Sequence, residues 1–150
     1  MDYSKLAEEF LEQMHKFSRL KPQQKLTESM HGEAMALHHI AKSSEQIIPS
    51  EISSAIGISG ARIAATLNSL ENKGYITRRI DLSDRRRILV TLTEKGREQD
   101  ETHRRQLSEI FEKILEKLGE HDAKEYIRIT RKMAELFQQE DKECSERLNT

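Results

Sequence analysis

A mainly α-helical fold carrying one small β-hairpin is what this sequence predicts, and three observations predict it. Residues 52–73 hold two helical patterns joined by a glycine turn. Residues 75–92 hold two alternating strands around a polar connection. The remainder is a series of helical stripes punctuated by Pro22, Pro49 and Gly119.

Taken in chain order, the first helix is expected over about 3–19, where Leu6, Phe10, Met14 and Phe17 recur at spacings of four, four and three. A second, over about 29–43, carries Met30, Ala34, Leu37 and Ala41. Pro49 suits the first position of a short helix over 50–56, because its missing N–H would be unpaired there in any case. Gly57 follows where a turn between helices needs a positive φ. Ser59 then caps a helix over about 60–73, and Gly74 ends it. Ile63, Leu67 and Leu70 form the core face of that helix. Gly60, Ala61, Arg62, Ala65, Thr66 and Ser69 form the opposite face, small or polar with one arginine, which can enter a groove without a clash. Taken alone, such a helix is equally an amphipathic helix with a solvated side.

The hairpin decides between the two. Strands are expected over 75–80 and 87–92, with Ile88, Val90 and Leu92 alternating against Arg87, Leu89 and Thr91. Residues 73–87 hold six basic residues (Lys73, Arg78, Arg79, Arg85, Arg86, Arg87) against Asp81 and Asp84, a local net of +4. A solvated hairpin has no need of three consecutive arginines at its tip. Phosphates and a narrow, electronegative minor groove do attract them. The segment therefore reads as a helix-turn-helix with a cationic wing, made to lay one helix in the major groove of double-stranded DNA. The candidate DNA-binding residues are Ser59, Ala61, Arg62, Ala65, Thr66, Ser69, Arg78, Arg85, Arg86 and Arg87. Asp84, costly beside phosphates unless paired, is expected to orient Arg86 by a charge-assisted hydrogen bond.

These residues carry a family resemblance. The run Asp81-Leu82-Ser83-Asp84-Arg85-Arg86-Arg87, then Val90-Thr91-Leu92-Thr93 and Gly96, resembles the wing signature of MarR-type winged helix-turn-helix regulators. Leu70-Glu71-Asn72-Lys73-Gly74-Tyr75-Ile76 resembles the family's passage from recognition helix to wing. Pro49-Ser50-Glu51-Ile52 and Gly57-Ile58-Ser59 fit its first motif helix and turn. The motif-level likeness spans roughly residues 48–97. It implies a homodimeric transcriptional regulator, usually a repressor, often relieved by a small ligand, a metal ion or oxidation.

Composition is compatible with this. The 150 residues suit one MarR-like domain; 35% are hydrophobic and 34% charged, and the net charge is only −1, so the basic character is local to the wing. Residues 120–150 hold eight acids against six bases. One cysteine, Cys144, rules out an internal disulfide. No stretch approaches the roughly eighteen apolar residues of a membrane span, and the N-terminus has no signal core, so a cytoplasmic protein without membrane contact is expected.

A fifth helix is expected over about 93–118, capped by Thr93, and a sixth over about 121–145. Residues 94–106 hold no large apolar residue, whereas Leu107, Ile110, Phe111, Ile114, Leu115 and Leu118 form a stripe, and Tyr126, Ile127, Ile129, Met133, Leu136 and Phe137 another. The expected division is a winged helix-turn-helix lobe over 25–98 and a helical dimerisation region from 1–24 with 107–150. A polar strut over 94–106 joins them. Without apolar packing to hold it, the strut should let the lobe pivot. A homodimer would set two recognition helices on a pseudo-palindromic operator; an intramolecular helical hairpin is the alternative.

A small effector would bind where body meets lobe, with Phe17, Met35 and His39 as candidate walls; plain core packing is the alternative for these three. His31, Glu33, His38 and His39 cluster on or near one helix. Adjacent His38 and His39 point about a hundred degrees apart, however, and cannot share a metal from a regular helix. No metal site and no cofactor is expected, a metal-responsive form of the regulator being the alternative. The carboxylates around Cys144 make it a poor thiolate and a poor oxidant sensor. No phosphate loop, GxSxG or Cys–His pattern supports an enzyme. A winged-helix adaptor that binds only protein is the competing class, and the triple-arginine wing argues against it.

Overall fold

The computed structural model describes residues 2–21, 24, 32–43 and 46–148, with the backbone alone for 141–148. Six helices and one hairpin are described: α1 Tyr3–Ser18, α2 Glu33–Lys42, α3 Pro49–Ile56, α4 Gly60–Asn72, β1 Ile76–Ile80, β2 Ile88–Leu92, α5 Glu94–Leu118 and α6 Glu120–Leu148. The mainly helical fold with a small β wing is thus the observed one. Met30, His31 and Pro22 lie outside the described residues, as does the Cys144 side chain. Among the described residues no helix is long and apolar enough to cross a membrane.

The chain divides into two compact units, Met1–Leu107 and Ser108–Thr150. The core of the first gathers one apolar face from each small element: Ala36, Leu37 and Ile40 of α2, Ile52 of α3, Ile63, Leu67 and Leu70 of α4, Ile76 of β1 and Val90 of β2, with Ile47. The three helices therefore share one hydrophobic centre, and the hairpin closes it from the side. The hairpin is antiparallel, with Arg78 opposite Val90 and Ile80 opposite Ile88. Ile47 adds a third, single-residue strand, exchanging both backbone hydrogen bonds with Val90 (3.2 and 2.8 Å). β2 thus has a partner on either side at Val90, which satisfies its buried backbone groups.

α1 is capped by Asp2, whose carboxylate accepts from the backbone N–H groups of Ser4 and Lys5 (3.1 and 3.4 Å). It contributes nothing to the core; Leu6, Phe10, Met14 and Phe17 of its stripe are 43–52% exposed. In the second unit the large apolar side chains of α6, Tyr126 to Phe137, are 38–63% exposed. Both stripes exist as the spacing predicts, and within one chain both lie largely open to water.

Candidate nucleic-acid interface

The interface begins with the turn that aims α4. Gly57 takes a left-handed conformation (φ 67°), in which a Cβ would crowd the following carbonyl oxygen and which glycine, having none, adopts without that clash. The Ser53 hydroxyl donates to the Ile58 carbonyl, and the Ile58 N–H donates back to the Ser53 carbonyl. These two bonds fix the turn from inside. Ser59 adopts an extended conformation and its hydroxyl accepts from the Arg62 N–H (3.4 Å), capping α4. Of the candidate residues on the helix, Ala61, Arg62 and Ala65 are exposed, while Thr66 and Ser69 are half-buried. Ser69 hydrogen-bonds Glu33 of α2, so its hydroxyl is engaged within the lobe. Burial pushes the Glu33 carboxyl up, but hydrogen bonds from Lys73 and Ser69 and the Lys73 charge outweigh it, and the pKa lies below the ordinary value.

The wing is held to α4 by an arginine. Arg78 donates through Nε and Nη2 to Glu71 Oε2 (3.0 and 2.6 Å), and its backbone N–H donates to Glu71 Oε1 (3.1 Å). Nη2 also reaches Asn68 Oδ1 at 2.6 Å. These bonds hold the Glu71 carboxyl below its usual range, the Arg78 side chain being the main cause. Expected as a phosphate contact, Arg78 is instead turned inward as the fastener between β1 and α4. The reason is spacing: Glu71 is in the last turn of α4, one residue from its end, and Gly74 (φ 75°) folds β1 back beside it.

At the tip, Asp81 Oδ1 accepts from both the N–H and the hydroxyl of Ser83 (2.9 and 2.7 Å), an aspartate turn that holds the connection in shape. The Ser83 hydroxyl, then its backbone N–H, keep the Asp81 carboxyl below its ordinary pKa, and the Arg87 charge adds to this. Arg87 lies 3.9 Å from Asp81, a loose pair across the mouth of the hairpin. Asp84 departs from expectation in its contact. Its Oδ1 accepts from the Arg86 backbone N–H at 3.0 Å, not from the guanidinium. Two residues apart in a tight turn, the carboxylate meets the main chain while the long side chain projects outward. Asp84 therefore shapes the tip and leaves the Arg86 charge free. Arg62, Arg79, Arg85 and Arg86 are exposed, and among the described residues none of them has a carboxylate within salt-bridge distance.

The passage from wing to α5 corrects the idea of an unclamped strut. Gly96 is buried, and a Cβ there would stand 2.0 Å from the Tyr75 carbonyl oxygen and 3.0 Å from Leu92 Cδ1. Thr93 caps α5 through its hydroxyl (3.0 Å from the Gly96 N–H) and donates from the same oxygen to the Gly74 carbonyl (2.7 Å). One turn on, Asp100 is only 6% exposed, the one charged side chain buried among the described residues. His38 Nδ1 lies 3.1 and 3.3 Å from its two oxygens. A buried carboxylate without such a partner would be expensive. The first turns of α5 are thus fixed to the lobe by close backbone approach and a buried polar pair, and they belong to the first unit.

Nothing comparable gathers Phe17, Met35 and His39. Phe17 and Met35 are exposed and His39 half-buried. The depression beside α2, about 210 Å³, is lined by Glu33, Leu37, Lys73, Tyr75, Asp100 and His103 among others and by none of the three. Sequence reasoning passed over Asn68, Glu71 and the Asp100–His38 pair. Asn68 was within reach, being exposed three residues after Ala65 and seven after Ala61, on the same helix face. Among the described residues no group of histidines, cysteines and carboxylates is placed to hold a metal ion.

Residues 33–111, just over half of the chain, match the winged helix DNA-binding domain family. An uncharacterized HTH-type transcriptional regulator of Bacillus subtilis, YdgJ, is 27% identical over 89 residues; these cover 59% of this chain and 54% of that protein, so the match spans about half of the curated relative's length. Among solved structures, the YusO protein of B. subtilis is similar with a TM-score of 0.68 and 23% identity, covering 90% of this chain and 99% of that one. The Staphylococcus aureus MepR–DNA complex gives 0.60 and 22%, covering 90% and 98%. Streptococcus pneumoniae FabT in complex with DNA gives 0.59 and 24%, covering 91% and 96%. At these identities the likeness is one of fold. With the glycine turn, the hairpin wing and the family match in agreement, the chain belongs to the winged helix DNA-binding domain family.

Proposed function

We propose that this chain is a sequence-specific transcriptional regulator that binds double-stranded DNA as a homodimer. One observation carries the reading. A helix with an exposed face of Ala61, Arg62 and Ala65 stands beside a wing whose tip offers Arg85 and Arg86 with no carboxylate partner among the described residues. Methyl groups let the helix approach base edges, and unpaired guanidinium groups displace counterions from phosphates or enter the minor groove. The exposed stripes of α1 and α6 support a dimer, because water-exposed apolar faces of that extent call for a partner. A twofold pair of recognition helices reads a pseudo-palindromic operator.

Repression follows the family resemblance: a dimer seated on an operator excludes competing proteins. Relief by a small effector belongs to the same proposal. Within the first unit, the depression bounded by Glu33, Lys73 and Asp100 is one candidate place for it, and none of Phe17, Met35 and His39 lines that depression. The test is selection of bound duplexes from a random pool, followed by location of the enriched motif in the source genome. Enrichment of a two-fold motif upstream of genes whose transcripts rise on deletion of the regulator is the expected result. A protein that enriches nothing contradicts the proposal.

A further inference from the structure

We infer that Asn68 determines base specificity: its amide is polarised by Arg78 so that it selects a base edge built of acceptors, guanine above all. The inference rests on the DNA-binding reading above. Asn68 is exposed on the same face as Ala61 and Ala65, and is longer than either, so it reaches furthest from that stripe. A guanidinium only donates hydrogen bonds, so the amide atom 2.6 Å from Arg78 Nη2 is the oxygen. Arg78 in turn is held by three bonds to Glu71, two from its guanidinium and one from its backbone N–H, which prevents it from following the amide elsewhere.

The consequence is electrostatic. An asparagine reads adenine with both ends, its oxygen accepting from N6 and its nitrogen donating to N7. Here a positive donor already sits on the oxygen. A second donor brought to that oxygen meets like charge, which disfavours adenine N6 and cytosine N4. The same guanidinium draws electron density toward Oδ1 and makes the Nδ2 hydrogens stronger donors. Guanine presents two adjacent acceptors, O6 and N7, and no donor of its own in the major groove. Thymine offers O4 alone, next to a methyl group.

Wild-type protein, Asn68→Ala and Arg78→Ala each select duplexes from one random-sequence pool, with folding checked by thermal melting. The wild type should fix guanine at one position of each half-site, by roughly tenfold over adenine. Asn68→Ala should lose that preference and keep the others. Arg78→Ala, with Oδ1 released, should admit adenine at the same position. If Arg78→Ala does not fold, Asn68→Asp takes its place: a carboxylate has no donor, so the guanine preference should vanish. An Asn68→Ala motif identical to that of the wild type overturns the inference, as does adenine fixed by the wild type at the position that Asn68→Ala loses. Failure of the wild type to enrich any sequence overturns the DNA-binding reading instead.

Discussion

Replacing Gly96 with alanine tests the way α5 is joined to the lobe. Two effects oppose each other. Alanine is the better helix former by about 1 kcal/mol in a helix interior, and the Gly96 backbone is helical, so local propensity alone predicts stabilisation. Against this, the new methyl would stand 2.0 Å from the Tyr75 oxygen and 2.9 Å from its carbon, both backbone atoms that cannot rotate away. Carbon and oxygen in ordinary contact need more than 1 Å beyond that, so α5 must move off the start of β1. That movement strains the bond from the Thr93 N–H to the Tyr75 oxygen (3.0 Å) and the Thr93 hydroxyl's bond to Gly74 (2.7 Å). Each such bond contributes about 0.5–1.5 kcal/mol, and forcing a methyl into a packed site typically costs about 1–3 kcal/mol. The clash wins, by about 1–5 kcal/mol after the propensity gain. Urea unfolding at fixed protein concentration measures it. Gly60→Ala is the internal control, since among the described residues nothing lies within 4 Å of its added methyl; it should be neutral or slightly stabilising. A Gly96→Ala protein as stable as the wild type would refute the close approach.

Three further outcomes follow from named contacts. Because Glu71 has a folded-state pKa below its ordinary 4.5, the Arg78 clamp is fully present above pH 4.5 and is lost as pH falls through the lower folded value; melting temperature against pH should therefore drop more steeply on the acid side for the wild type than for Glu71→Gln, and parallel curves would show that the clamp adds nothing. Asp100→Ala should destabilise by about 1–3 kcal/mol through the orphaned His38 nitrogen and the lost polar packing, whereas Glu98→Ala on the exposed side of the same helix should change little; equal effects would contradict the buried pair. Under the dimer proposal, light scattering at micromolar concentration should give a dimer for the wild type and a smaller species for Phe10→Glu, and a wild-type monomer would defeat that proposal.

What could be read in the sequence was governed by local rules. Gly57 and Gly74 at positive φ, Ser59 and Thr93 as caps, and the period-two pattern around Val90 each act within a few residues, and each appears in place. The core face Ile63, Leu67 and Leu70 likewise follows from helical spacing alone. The clamping of residues 94–100 leaves no trace in a count of apolar residues, which is blind to two other ways of burying a helix face. Gly96 buries backbone by having no side chain, and Asp100 buries a charge by meeting His38, 62 residues away in the chain. Arg78 was misplaced for a related reason: by composition it is one more wing cation, and only the fold sets Glu71 and Asn68 against it. Long-range pairs of this kind leave no periodic trace.

At the centre of the proposal, this face binds DNA through α4 and the Arg85 and Arg86 guanidinium groups of the wing tip. Its most direct test is the salt dependence of duplex binding, by fluorescence anisotropy, for the wild type and an Arg85→Ala, Arg86→Ala double variant. Each phosphate contact contributes about 0.9 to the slope of log affinity against log salt. The account predicts wild-type binding that weakens linearly on that scale, and a slope shallower by about 1.8 per protomer in the double variant. Wild-type binding with the same slope and affinity as a correctly folded double variant would contradict it.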